Sequence, residues 1–99
     1  MRTIKFRVNQ QRIKPMNSVS FIYPGTDNYL KLEFEFGEDW DGCTIGISFG
    51  SKKIMQVLRD NSCVVPKEAF EDSQLSFYLA GVKKDYAIKS QEFIIKLGG

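Results

Sequence analysis

Enzymes draw on a short menu of reactive side chains, and this sequence lacks the most used one. Its 99 residues contain no histidine, so the commonest general base and the commonest metal ligand are both missing. A nucleophilic Ser, Cys or Lys would then need a carboxylate or a desolvated lysine as its base. Gly46-Ile47-Ser48-Phe49-Gly50 has GxSxG spacing, but it lies in an alternating apolar run and not at a strand-to-helix turn. SxxK spacing does not occur, and no glycine run matches GxxxxGK or GxGxxG. Glu33, Glu35, Glu38, Asp39 and Asp41 form the densest carboxylate stretch. Carboxylate oxygens suit calcium, but these lack the ligand spacing of an EF-hand loop. They read instead as the solvated groups of a tight turn, with Trp40 folding back onto the core. Cys43 and Cys63 have neither CxxC spacing nor a histidine to complete a zinc site. Two reduced thiols packed near strand ends is the simpler reading, and a disulfide is the other. No catalytic, cofactor-binding or metal-binding residue is expected.

Two surface chemistries remain. Arg2, Lys5, Arg7, Arg12 and Lys14 all precede Asp27, the first acidic residue. Together with Glu38 they are the candidate interaction surface, a basic patch for an acidic partner. Alternatively, Lys5 and Arg7 lie opposite Glu33 and Glu35 on a neighbouring strand, where such pairs help to fix register. In a third arrangement the basic strand meets the acidic loop of another copy, head to tail. Tyr23, Tyr29, Tyr78 and Tyr86 are the candidates for outward-facing rings, which would suit stacking on a sugar. Tyr78 is out of phase with Leu75, Phe77 and Leu79 and so points outward. The net charge of +2 is too small to imply nucleic acid.

Period-two alternation supplies the elements that must carry these groups. Leu30, Leu32, Phe34 and Phe36 alternate with Lys31, Glu33 and Glu35, giving a strand with one dry face. Cys43, Ile45, Ile47 and Phe49 repeat the pattern, as do Ile4, Phe6 and Val8, and Leu75, Phe77 and Leu79. Further strands are expected at 54–58, 63–65, 86–88 and 93–97, with Arg59-Asp60-Asn61-Ser62 as a polar hairpin turn. Residues 9–18 fit worst. Lys14-Pro15 argues against a central strand, so this segment is expected to be a loop leading into an edge strand at 19–22. One short helical turn is expected at 66–70, opened by Pro66. Roughly seven to eight short strands separated by turns mean an all-β sandwich or small barrel. A chain of this length and 42% hydrophobic content holds a single domain over 1–99. No apolar run matches a secretory signal or a membrane helix, so the expected place of synthesis is the cytoplasm, with no membrane contact.

Phe34-Glu35-Phe36-Gly37-Glu38-Asp39-Trp40-Asp41-Gly42 is more than a turn. An alternating strand runs into Asp-Trp-Asp-Gly, and a second strand follows that ends at Phe49. A hairpin then closes on Asp60-Asn61-Ser62-Cys63-Val64-Val65-Pro66, and a later strand ends at Gly81. This order resembles small β-sandwich domains of phages and prophages of Gram-positive bacteria, over roughly residues 30–81. Ile45 stands where that family often has a lysine. The resemblance implies an immunoglobulin-like antiparallel sandwich that serves as a tail or baseplate assembly module. It also implies a framework of Phe36, Asp39, Trp40, Asp41, Gly42, Phe49, Cys63, Pro66 and Gly81. The implied partners are other phage structural proteins and copies of itself, first in the cytoplasm and then in the virion. The alternative is a carbohydrate-binding host-adsorption module.

Overall fold

The computed structural model describes residues 1–50 and 54–98. Among them are nine strands: β1 (Arg2–Asn9), β2 (Arg12–Pro15), β3 (Leu30–Phe36), β4 (Thr44–Phe49), β5 (Ile54–Val57), β6 (Ser62–Val64), β7 (Gln74–Lys83), β8 (Tyr86–Lys89) and β9 (Phe93–Lys96). The apolar residues of each alternating run cannot all be dry unless two sheets face each other, and that is the arrangement found. Sheet A has the order β2-β1-β3-β6, and sheet B the order β5-β4-β7-β8, with β9 also on β7. β7 is the long strand of sheet B. β4 lies along one of its edges, while β8 and β9 tile successive halves of the other.

The core is a row of phenylalanines between the sheets. Phe6 stacks on Phe34 with centroids 5.4 Å apart. Phe77 meets both from sheet B, edge-on, at 5.5 and 5.8 Å. Offset and edge-on ring pairs of this kind each add about 0.5–1.5 kcal/mol beyond area burial. Ile4, Val8, Leu32, Ile47, Leu75, Leu79 and Ile95 fill the space around them, and one contiguous cluster results.

The all-β sandwich expected from alternation is therefore present, with differences in detail. Nine strands are described rather than seven or eight. β1 runs parallel to β3, although an antiparallel sandwich was expected. Residues 12–15 are not loop but an edge strand folded back on β1. The amide of Met16 donates to Lys5 O at 2.7 Å, which makes Lys5–Met16 a bonded pair and turns the nitrogens of Pro15 and Ile13 away from β1. Proline is tolerated there because it has no ladder bond to lose. The expected strand at 19–22 is absent: Phe21 has φ 60° and Ile22 is turned into the core. The polar turn at 59–62 is real, with Asp60 and Asn61 both at positive φ. It does not close a hairpin within one sheet but hands the chain from β5 in sheet B to β6 in sheet A. A 3-10 turn spans Lys67–Ala69, preceded by Pro66 as its N-cap.

Candidate interaction surface

Trp40 sits in a 3-10 turn, Glu38–Trp40, at the end of the sandwich where β1, β3 and β7 finish. Its ring is buried against Phe36, with centroids 5.2 Å apart. Its Nε1–H donates to the carbonyl of Gln10 at 2.7 Å, tying the acidic turn to the β1–β2 turn. Gly81 lies beneath the ring: a Cβ there would stand 3.0 Å from Trp40 and 3.1 Å from Cys43. Gly42 has φ +77°, the conformation glycine adopts freely. Asp39 and Asp41 contribute main-chain carbonyls, which accept from Tyr86 Oη at 2.6 Å and Lys83 Nζ at 2.8 Å. Partial burial raises the Tyr86 hydroxyl pKa, and the nearby Asp39 and Cys43 add to this. Phe49 and Cys63 are buried, and burial pushes the Cys63 thiol up to about 12. Phe36, Asp39, Trp40, Asp41, Gly42 and Gly81 form a scaffold at this end, whereas Phe49 lies at the far end of β4, Cys63 opposite Leu32 and Pro66 before the second 3-10 turn. Both cysteines are free thiols.

The basic residues divide into two groups. The Arg2 guanidinium donates to the carbonyls of Phe21 and Ser18, both at 3.1 Å, so it clamps the loop that follows β2. Lys5, Arg7, Arg12 and Lys14 are exposed on the outer face of sheet A. Lys5 stands opposite Glu33 and Arg7 opposite Glu35, the register expected of complementary charges. On its other side Arg7 faces Lys14, a like-charge pairing that destabilises a sheet. Arg7, Arg12 and Lys14 line a hollow of about 490 Å³ beside Asn9, Gln10 and Gln91. The Gly37 amide donates to Val8 O at 2.8 Å, which holds the acidic turn carrying Glu38 at the same end as this cluster. The basic and acidic groups thus share one end of one molecule. The head-to-tail contact considered above would need them at separated faces.

Sequence reasoning missed the outer face of sheet B. Cross-strand partners share a face, which gives the rows Met55–Ser48–Tyr78, Val57–Gly46–Ala80–Lys89, Thr44–Val82–Ala87, Ser76–Ile94 and Gln74–Lys96. Met55, Val57, Val82 and Ile94 are 68%, 64%, 57% and 50% exposed. No Asp or Glu occurs in any of the five strands of this sheet. Tyr78 faces outward as expected, with Lys89 Nζ 4.4 Å from its ring centroid. An antiparallel sheet with one wet face is normally polar on that face, and contiguous apolar surface on a small domain marks interaction sites. The sequence did carry a signal, namely acid-free strands with small or apolar residues at the outward positions.

A third feature lies at the opposite end. Phe21, Tyr23 and Tyr29, with Arg2, Ile22, Thr26 and Leu30, line a cleft of about 180 Å³. Phe21 is 70% exposed and held at positive φ, unusual for a bulky residue. Among the described residues, no group of three or more His, Cys, Asp or Glu is placed to hold a metal ion. No helix among them is long and apolar enough to cross a membrane. Comparisons with protein-family models, curated proteins and solved structures return no match for this chain.

Proposed function

We propose that this chain is a non-catalytic assembly or adaptor domain that acts through protein–protein contacts, with the outer face of sheet B as its docking surface. The observation that carries this reading is the exposure of Met55, Val57, Val82 and Ile94 on one sheet face whose strands are free of carboxylates. Its counterpart on sheet A carries Lys5, Arg7, Lys31, Glu33 and Glu35, an ordinary solvated pattern. Such an asymmetry has no use in stabilising an isolated sandwich. The resemblance around Asp39-Trp40-Asp41-Gly42 gives the reading a setting: a structural part of a phage or prophage tail or baseplate, built in the bacterial cytoplasm and then carried in the virion. Two experiments test it. Mass spectrometry of purified particles of the encoding phage should find the chain in stoichiometric amount, and its absence would remove the phage setting. A Val82→Lys, Ile94→Lys variant should lose its partner while melting as the parent does, and retention of the partner would remove the docking face.

The aromatic cleft supports a second reading, recognition of a saccharide, because Phe21, Tyr23 and Tyr29 expose rings around one small hollow. Titration with cell-wall polysaccharide fragments should perturb these three rings. An unchanged spectrum at about millimolar sugar, where a weak site of roughly 4 kcal/mol is half filled, would eliminate it.

A further inference from the structure

The free edge of sheet B carries a second consequence. The Leu58 amide donates to Ile45 O at 2.9 Å, so Ile45–Leu58 is a bonded pair. By antiparallel alternation Ile47–Gln56 and Phe49–Ile54 are bonded pairs too. The main-chain groups of Ile54 and Gln56 therefore point to β4, and those of Met55 and Val57 point away from the sheet. Among the described residues no hydrogen bond reaches these outward groups. Other edges are treated differently. At β2 the outward amide of Ile13 donates to Gln91 Oε1 at 3.2 Å. At β8 the Lys89 carbonyl accepts from Gln11 Nε2 at 2.9 Å. Proteins ordinarily cover or charge their edges because an open one templates pairing with another chain. Here the open edge is also the apolar one.

Beside β5 a cleft of about 220 Å³ opens between the rims of the two sheets, lined by Gln56, Val57, Arg59, Ser62, Cys63 and Val64. Among the described residues the Arg59 guanidinium has no carboxylate partner. The strands of sheet B contain Lys83, Lys89 and Lys96 but no acid.

We propose that the β5 edge accepts an added strand from an acidic partner protein. The added segment pairs with the main chain of Met55 and Val57. It sets apolar side chains beside theirs on the outer face and turns a carboxylate inward toward Arg59. Main-chain bonds then supply affinity and the alternate side chains supply specificity. A second copy of this chain is the poorer occupant, because its own β5 brings no carboxylate to Arg59. The proposal rests on the reading of sheet B as the docking surface and names the chemistry of its partner.

The test titrates the full chain with a capped peptide of alternating valine and glutamate, following main-chain amides by NMR and hydrogen exchange. Alternating proline and glutamate serves as the control. The Met55 and Val57 amides should shift and become protected with the valine peptide only. Val57→Pro removes an outward N–H without touching a ladder bond and should weaken binding about tenfold. Arg59→Glu should weaken it as well, and alternating valine and lysine should restore binding to that variant. If Val57→Pro fails to fold, the charge swap decides alone. Binding that leaves Met55 and Val57 unprotected, or that ignores both substitutions, overturns the proposal. A dimer in sedimentation that Val57→Pro dissolves also overturns it, in favour of a second copy. If the edge fails while Val82→Lys, Ile94→Lys still loses the natural partner, the docking face stands without strand addition. If the edge binds and that variant keeps its partner, the face fails.

Discussion

At the scale of single residues, Trp40 joins the most separate parts of the chain. It buries its ring on Phe36, sends Nε1–H to Gln10 and occupies the space left by a missing Cβ at Gly81. Trp40→Ala should therefore cost about 3–5 kcal/mol in denaturant unfolding, the range for emptying a large aromatic site. Trp40→Phe keeps a ring but leaves the Gln10 carbonyl without its donor, at about 1 kcal/mol. Gly81→Ala should cost roughly 1–3 kcal/mol, because ring and Cys43 must both give way. Cys63 supplies a pH dependence. Its thiol is held up to about 12 from 9.0, so above pH 9 the unfolded chain loses that proton while the folded chain keeps it. The contribution is complete below pH 9 and is lost as pH rises toward 12, with a limiting slope of about 1.4 kcal/mol per pH unit. Comparing the stability–pH profile with that of Cys63→Ala isolates it: the variant should be flatter over this window, and parallel profiles would refute the assignment.

At the scale of elements, the rims of the sandwich show how the fold keeps its strands from pairing wrongly. Gln91 and Gln11 reach across from one sheet to the other to cover β2 and β8. Gln91→Ala should speed hydrogen exchange of the Ile13 amide while leaving global stability within about 0.5 kcal/mol; unchanged exchange would show that the cover is not effective. These elements also show which parts of the architecture were readable. Alternation placed β1, β3, β4 and β7, because a strand with one dry face must repeat every second residue. It could not give the direction of β1 against β3, since a period of two fixes faces and carries no polarity. β2 was hidden by Pro15, whose nitrogen points off the edge and so breaks nothing. The false strand at 19–22 came from β-favouring residues in a loop, where seating Ile22 in the core decided the backbone. The Trp40 turn was legible as a motif. The apolar outer face of sheet B was not, because its mark is the acids that are missing from strands far apart in sequence.

At the scale of the whole molecule, a net charge of +2 conceals two unlike faces. Sheet A presents interleaved cations and anions with an excess of cations at Arg7, Arg12 and Lys14, and sheet B presents apolar side chains with a few lysines. The account predicts that contact with other proteins falls on sheet B, while sheet A stays in water. Site-specific photo-crosslinking in the cells that make the protein tests this most directly, with the reactive group placed in turn at Val82, Ile94, Lys5 and Glu33. Discrete protein adducts from Val82 and Ile94, and none from Lys5 and Glu33, are the predicted result. Adducts from Lys5 and Glu33 alone would contradict the account.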